Sequence, residues 1–342
     1  MDIENLISLK HTLRFNSDGK FKILMISDIH AGVGFNKKTP IAIKALVDEC
    51  KPDLVIFNGD VAGPGRVAVQ KVEEVKNMLD VIAAPMEDAH IPWAHVFGNH
   101  DDNGGLSNEL QEPVYETYPY CLSKHGPADV DGASNYVLPI KAHDSEKILF
   151  NLWGLDSHDN IEKFKKAYGL PDDFNPVLTN NFCFDRGYDT VHFNQVVWYY
   201  EASKALEEYN GAKIPGLMYM HIPVPEMTFV YRNRMECGFE GTAREDVGCG
   251  EMNSGLFSAC IQRGDVKAMF FGHDHVCDFT GTYCGMLMGY DAGIGYDTYG
   301  DNDLRGGRVF ELSEDDPANF KTYMVRIRDV LGAAGDKTSE DK

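Results

Sequence analysis

The sequence predicts a layered α/β fold, in which helices cover a sheet whose strands are buried on both faces. Apolar runs of strand length recur along the chain, and several are apolar almost throughout, which is typical of strands covered on both sides. Segments with helical spacing lie between the early runs, and strand–helix–strand alternation indicates a layered α/β domain. The predicted strands are 21–27, 53–58, 92–97, 147–155, 216–221 and 266–271.

Three segments predict helices, at 40–51, 66–82 and 191–210. In the second of these segments the apolar residues recur at the spacing of one helix face. Residues 222–260 are rich in Gly, Glu, Cys and Met with weak periodicity, so we expect a long loop, which in a compact domain is usually functional. We expect one domain over residues 1–330, followed by a polar tail at 331–342 that frays.

The chain is strongly acidic. Its 342 residues carry 53 acidic and 32 basic side chains, a net charge of -21. This balance argues against binding nucleic acid or an anionic membrane through a basic face. It also repels phosphate esters at long range, so phosphate chemistry here would need the local positive charge that bound metal supplies.

The N-terminus and the cysteines favour a cytoplasmic protein. The first residues lack a basic region followed by a long apolar run, so they do not predict a signal peptide, and no apolar stretch is long enough to cross a bilayer. The eight cysteines form no C-x-x-C pair, which favours reduced thiols. We therefore expect no membrane partner, while the sequence leaves the oligomeric state open.

Five predicted strands end in side chains that can bind metal or move protons. In open α/β sheets, ligands bind outside the carboxyl ends of the strands, so these side chains should meet at one edge. In chain order they are Asp28 with His30, Asp60, Asn99 with His100 and Asp101, His221, and His273 with His275.

Each of these fragments alone has an ordinary structural explanation. An aspartate after a strand commonly caps a helix, and Gly, Asn and Asp all favour turns. The ordered set of five is different, because turn chemistry does not require imidazoles at i and i+2, as in His273 and His275. Imidazole suits zinc, iron and similar ions, and a carboxylate can bridge two of them. Two metals about 3.5–4 Å apart can clamp both oxygens of an in-line displacement and lower the pKa of a bound water.

The ordered pattern D-x-H, G-D, G-N-H-D, H and G-H-x-H, across residues 28–275, resembles the calcineurin-like metallophosphoesterase superfamily. The segments 91–101, 215–226, 240–257 and 263–279 are similar to compact purple-acid-phosphatase relatives that lack the extra N-terminal β domain. This resemblance implies a four-layer αββα sandwich, with two mixed sheets packed face to face and helices outside. It also implies a hydrolase with two divalent or mixed-valence metal ions, drawn from Fe, Zn or Mn.

The resemblance assigns a role to each motif residue. Asp28, His30 and His275 would hold the first metal, Asn99, His221 and His273 the second, and Asp60 would bridge them. His100 would lie near the leaving-group oxygen, with Asp101 orienting its ring. One departure concerns the tyrosine that colours true purple acid phosphatases, because Gly63 stands at its position. The tyrosinate that colours ferric iron is therefore missing, so the motif does not identify the first metal as Fe(III), although it still predicts the dinuclear site.

Three functions fit this pattern. The favoured one is a phosphomonoesterase acting on small phosphate esters or phosphoproteins; the alternatives are a phosphodiesterase on cyclic nucleotides or other small diesters, and a non-catalytic scaffold with a relict metal site. Fold and motif do not separate the first two, because specificity depends on the pocket. The weaker predictions of substrate contact, all placed in loops, are Tyr136, His158, Arg244, Tyr296 and Tyr299. Arg244 stands out because a guanidinium can bind phosphate with two hydrogen bonds, although a surface salt bridge or ring packing is the more ordinary explanation for each of these residues.

Overall fold

Two mixed β-sheets packed face to face, with helices on both outer surfaces, form the molecule. The computed structural model describes residues 1–63, 67–171 and 187–335. The strands are β1 Leu13–Arg14, β2 Lys20–Ile26, β3 Leu54–Asn58, β4 Trp93–Val96, β5 Tyr136–Lys141, β6 Ile148–Gly154, β7 Gly216–Met220, β8 Val266–Phe271, β9 Thr280–Tyr283, β10 Met286–Tyr290, β11 Gly306–Ser313 and β12 Lys321–Arg326. The helices are α1 Ile3–Ile7, α2 Lys38–Cys50, α3 Val72–Ile82, α4 Ala84–Ala89, α5 Asn108–Tyr115, α6 Ile161–Ala167, α7 Phe193–Asn210, α8 Glu226–Arg232, α9 Leu256–Arg263 and α10 Ile327–Gly335.

The strand order brings the predicted motif strands side by side. One sheet has the order β1-β5-β6-β7-β8-β10-β9 and the other has the order β12-β11-β2-β3-β4. Neighbours are parallel from β2 to β4 and from β6 through β8 to β10, and antiparallel strands flank both sets. The carboxyl ends of the parallel strands therefore meet at a common edge in each sheet.

Three apolar layers hold the sheets and helices together. The central layer joins the two sheets through side chains such as Met25 and Ile56 from one and Leu152 and Phe270 from the other. Each outer layer packs one sheet against its helices. Helix α2, for example, buries residues at helical spacing on the sheet-facing side. The four-layer sandwich and its mixed sheets are thus confirmed, and all six predicted strands lie within one residue of their predicted bounds.

The predicted long loop over 222–260 is wrong, because two helices occupy parts of it. Helix α8 follows Pro225 and buries Met227 and Val230, while α9 begins after Gly255 and runs past residue 260. Each helix spans only about two turns, so the window is too short for a clear periodicity of apolar residues.

Two predicted boundaries also shift. The helix expected over 66–82 begins only at Val72, since Lys71 before it has extended backbone angles; residue 66 lies outside the described residues. The tail expected from 331 continues α10 as far as Gly335, with a break at Gly332, and residues 336–342 are not described. No helix of the described part is long and apolar enough to cross a bilayer.

A buried histidine–glutamate pair links strand β4 to helix α5. His95 and Glu112 are both inaccessible to solvent, and His95 Nε2 lies 2.9 Å from Glu112 Oε2. The other ring nitrogen, Nδ1, is 2.7 Å from Ser123 Oγ. Burial lowers the pKa of His95 to about 3 and raises the pKa of Glu112 well above its ordinary value. Because burial disfavours charge on both side chains, we assign a neutral pair in which Glu112 keeps its proton.

Replacing Glu112 by Gln tests this assignment through the pH dependence of stability. The unfolded carboxyl ionises near its ordinary pKa of 4.5, whereas the folded carboxyl stays protonated above it. Glu112 therefore releases its proton on unfolding, which lowers the free energy of unfolding of the wild type as pH rises above 4.5. Unfolding also lets the buried His95 bind a proton, which acts in the opposite direction but is common to the wild type and E112Q. E112Q lacks the contribution of Glu112, so its stability relative to the wild type should rise by up to about 1.4 kcal/mol per pH unit.

Urea unfolding at pH 5 and pH 7 measures the effect. E109Q, which changes an exposed glutamate of the same helix, is the control and should follow the wild type. Parallel stability profiles for E112Q and the wild type would mean that Glu112 is ionised in the folded protein.

Candidate metal centre

The five strand ends deliver their side chains to one buried site. The residues follow β2, β3, β4, β7 and β8, and all seven predicted ligands are at most 8 % exposed. Four of them, Asp28, His30, Asp60 and His273, have positive φ, although only eight non-glycine residues in the described part do. Such backbone conformations cost of order 1–3 kcal/mol each and persist only where the surroundings enforce them. Backbone strain is therefore concentrated at this site.

The first predicted metal site forms a tight cluster. Ligand atoms of Asp28, His30, Asp60 and His275 all lie within 4.8 Å of one another. His30 Nε2 is 3.2 Å from His275 Nε2, and His275 Nε2 is 3.1 Å from Asp28 Oδ1. These separations match those of ligands that share one ion, for which each donor atom lies about 2.0–2.2 Å from the metal.

The second predicted site lies on the other side of Asp60. The Asp60 Oδ2 atom is 3.1 Å from His221 Nε2 and 3.4 Å from His30 Nε2, so the Asp60 carboxylate lies between the ligands of the first site and those of the second. The rings of His221 and His273 approach edge to face with centroids 5.3 Å apart. Asn99 adds a buried amide oxygen.

The polar atoms that face this site fit bound cations. Among the residues that the structure describes, no hydrogen-bond partner is found for Asp28 Oδ1, Asp60 Oδ2, Asn99 Oδ1 or His221 Nε2, although all four atoms are buried. A buried polar atom without a partner costs about 1–3 kcal/mol, more when it is charged. Carboxylate, amide and imidazole donors together suit Zn, Fe or Mn, so the residues present are the right ones to hold such ions.

The electrostatics of the site also favour bound cations. Burial alone would raise the pKa of Asp28, but the imidazoles of His275 and His221 outweigh it and hold that pKa well below the ordinary value. Burial would lower the pKa of His221, yet Asp60 and Asp28 raise it to about 10. His273 has its pKa lowered to about 3 by burial and by His221. Burial would also raise the pKa of Asp60, but His221 and His30 hold it below the ordinary value. Both aspartates are therefore ionised, and an ion could replace the proton on His221.

Backbone carbonyls fix the orientation of two imidazoles. His221 Nδ1 is 2.9 Å from the Asn58 carbonyl oxygen, and His275 Nδ1 is 2.9 Å from that of Tyr299. Because a carbonyl only accepts, each Nδ1 donates its hydrogen, and Nε2 is the atom whose lone pair would bind an ion once its proton is displaced. The sequence analysis missed both supports; Asn58 lies at the strand end just before Gly59-Asp60, but a carbonyl contact has no sequence signal.

The predicted role of Asp101 is wrong. Its buried carboxylate accepts hydrogen bonds from the backbone N–H groups of Asp60, Ala62 and Gly98, at 3.0, 2.7 and 2.6 Å. It therefore joins the loops after β3 and β4 and does not orient the His100 ring. The partner of His100 Nδ1 is Asn103 Oδ1, 2.7 Å away, a residue that the sequence analysis did not identify.

Tyr136 is not in a loop and does not face the site. It begins β5, is 2 % exposed, and donates its hydroxyl hydrogen to the His95 carbonyl. Its ring packs in the central layer between the two sheets, so Tyr136 belongs to the core.

The other four predicted substrate contacts lie in loops, each with a partner. Tyr299 stacks face to face on His275, with ring centroids 4.0 Å apart, and donates to Glu245. Arg244 pairs with Asp301, so its guanidinium is already engaged. Tyr296 lies under Lys38 and Arg305. His158 stacks on His192 with centroids 3.8 Å apart. Of the four, Tyr299 has direct contact with a predicted ligand.

Gly63 leaves no room for the missing tyrosine. A Cβ atom at this position would lie 2.5 Å from His30 Nδ1 and 3.1 Å from His30 Cα. Real Cβ atoms do not approach so closely, so any side chain here would displace the His30 imidazole. The packing of His30 against Gly63 therefore excludes the tyrosine that true purple acid phosphatases have at this position.

Comparison with known proteins agrees with this geometry. The family model described as calcineurin-like phosphoesterase matches residues 21–277. An Arabidopsis thaliana protein named "Probable inactive purple acid phosphatase 14" is 31% identical over 324 residues, covering 85% of this chain and 74% of that one. The Saccharomyces cerevisiae protein "Phosphatase DCR2" is 28% identical, covering 78% of this chain and 46% of its own length.

A solved structure supports the fold. The dimetal phosphatase from Danio rerio superposes with a TM-score of 0.57 at 15% identity, covering 90% of this chain and 96% of that one. The family model matches most of the chain, and the motif residues gather where the strand ends of the two sheets meet. This chain belongs to the calcineurin-like phosphoesterase family, in its purple-acid-phosphatase-like branch.

Proposed function

We propose that this protein is a metal-dependent phosphomonoesterase that holds two divalent or mixed-valence ions of Fe, Zn or Mn. The observation that carries the proposal is the convergence of buried, unpartnered ligand atoms on one site with His100 beside them. Asp28, His30 and His275 would hold one ion, Asn99, His221 and His273 the other, and Asp60 both. When bound, the two ions would polarise the phosphate and activate the attacking water.

The chain's own residues would hold the ions in position and transfer a proton to the leaving group. The carboxylates of Asp28 and Asp60 would offset the charge of the ions, and the imidazoles fixed by backbone carbonyls would hold them in place. His100 lies at the side of the first site, its ring centroid 5.3 Å from that of His30, and is partly exposed. An imidazole so placed can give a proton to the leaving alkoxide as the ester bond breaks.

Assays on purified protein test the proposal. Metal-free protein loaded in turn with Mn(II), Zn(II) or Fe should hydrolyse nitrophenyl phosphate faster than bis(nitrophenyl) phosphate. D60N, purified in parallel, should bind less metal and show no turnover. Faster hydrolysis of the diester would support the phosphodiesterase alternative, with cyclic nucleotides as the next substrates to assay.

A non-catalytic role is the second candidate, because the Arabidopsis relative is named a probable inactive phosphatase. Against it, all seven predicted ligands and His100 are present, and the yeast relative is named a phosphatase. Two bound metals without turnover on either ester would favour the scaffold. The cytoplasmic location, the small-ester or phosphoprotein substrate and the single domain over 1–330 stay predictions from the sequence.

Adding one methyl group at position 63 should empty part of the metal centre. In G63A the new Cβ overlaps His30 Nδ1, so the imidazole must move, and overpacking of this kind typically costs about 1–3 kcal/mol. We expect roughly one metal ion fewer per chain by elemental analysis, with a normal circular dichroism spectrum. V33A, an exposed change in the loop after His30, should keep full metal content. Wild-type metal content in G63A would exclude His30 as a ligand.

His100→Asn should separate substrates by their leaving group. If His100 protonates the leaving alkoxide, kcat/KM for an alkyl phosphate should fall by roughly a hundred- to ten-thousandfold. The loss should be much smaller for nitrophenyl phosphate, because its leaving anion is already stable. Metal content should not change, and H143N, at an exposed histidine, should match the wild type. Equal losses on both substrates, together with lost metal, would remove His100 from the proton transfer.

A further inference from the structure

Asn103 uses both ends of its side-chain amide within the motif turn that carries His100. Its Nδ2 group donates to the Asn99 carbonyl oxygen at 3.2 Å, and its Oδ1 atom lies 2.7 Å from His100 Nδ1. The backbone closes the same turn, because Asn103 N donates to the His100 carbonyl at 3.1 Å. Both the ring and the main chain of His100 are thus tied to this one residue.

These contacts determine which nitrogen of His100 carries the hydrogen. The Asn99 carbonyl can only accept, so the NH₂ group of Asn103 must face it and Oδ1 must face the imidazole. An amide oxygen also only accepts, so His100 Nδ1 must be the donor. In neutral His100 the lone pair is then on Nε2, and this nitrogen is left for exchange with a substrate.

The nearby carboxylates are engaged elsewhere. Asp101 accepts three backbone hydrogen bonds, and Asp102 pairs with Lys163, which also binds Asp159. Meanwhile the backbone N–H of His100 donates to Asp60 Oδ1 at 2.8 Å. The bridging aspartate therefore anchors the main chain of His100, and Asn103 anchors its ring.

We propose that Asn103 is the positioning residue of the active site, holding His100 as the Nδ1–H tautomer so that Nε2 exchanges the proton with the leaving group. This inference rests on the proposed function. It gives to a neutral amide the task that the motif had suggested for Asp101. The side chain of Asn103 contacts His100 and the Asn99 carbonyl and is not among the predicted metal ligands, so it would act through His100.

Two variants separate this role from simple support of the turn. N103L removes both side-chain hydrogen bonds at similar volume, whereas N103D keeps an oxygen for His100 but cannot donate to the Asn99 carbonyl. We expect kcat/KM of N103L on an alkyl phosphate to fall about 10- to 100-fold, with a smaller loss on nitrophenyl phosphate. N103D should recover most of the loss, and both variants should bind two metals.

A purely structural role predicts the opposite pattern. N103L and N103D both lose the bond to Asn99, so they would then lose activity equally on both substrates and also lose metal. That outcome would overturn the proposal. D102N, which removes the neighbouring ion pair but leaves the His100–Asn103 contact, is the matched control and should keep the wild-type ratio of alkyl to nitrophenyl rates.

The tautomer can be read without any turnover. In ¹⁵N–¹H correlation spectra of the zinc-loaded protein, His100 should be the Nδ1–H form in the wild type and N103D, and a mixture with Nε2–H in N103L. An unchanged tautomer in N103L would overturn the positioning role even if the enzyme is active. A protein that shows the expected tautomers but no hydrolysis would instead contradict the proposed function alone.

Discussion

The architecture of the candidate metal centre depends on one buried carboxylate, Asp60. Its Oδ2 atom lies between His30 and His221, and its Oδ1 atom accepts the backbone N–H of His100. Its own N–H donates to Asp101, and its carbonyl accepts from the N–H of His30 at 2.9 Å. Loops from three strands of one sheet and one strand of the other therefore converge on a single side chain. A buried carboxylate needs positive or hydrogen-bonding groups around it, because its desolvation is otherwise costly.

This convergence explains why the motif contains more than ligands. A Cβ on Gly98 would lie 2.3 Å from Asp60 Oδ1, so only glycine lets the loop after β4 approach the carboxylate. The left-handed conformations of Asp28, His30 and Asp60 turn these side chains toward one point, at a cost in backbone energy. Asp101 offsets part of that cost by accepting three backbone hydrogen bonds from the same loops. The strained backbone and the hydrogen bonds that stabilise it therefore belong to the same group of loops.

The packing of the metal centre bears on the comparison with relatives that are named inactive. The tyrosine position is closed by packing around Gly63, yet the atoms that would face two ions stay buried and without hydrogen-bond partners in the described residues. A site that had lost its ions would be expected to satisfy or replace these groups, because buried polar atoms without hydrogen bonds destabilise the fold. The geometry here favours retained metal binding, and His100 with its Asn103 contact favours retained chemistry.

The sequence alone determined the strands that carry the site and the side chains at their ends. Those strands are apolar on both faces, which makes them visible as continuous runs, and motif residues follow them directly. It did not predict β5, which contains Pro139, or the short helices α8 and α9, because their patterns are weak over so few residues. Only the tertiary structure decided what each motif residue touches. Asp101 and Asn103 both follow His100 closely, and spacing cannot show which of them reaches its ring. Backbone hydrogen bonds across loops settle that choice, since they draw the Asp101 carboxylate inward and leave the imidazole to the Asn103 amide.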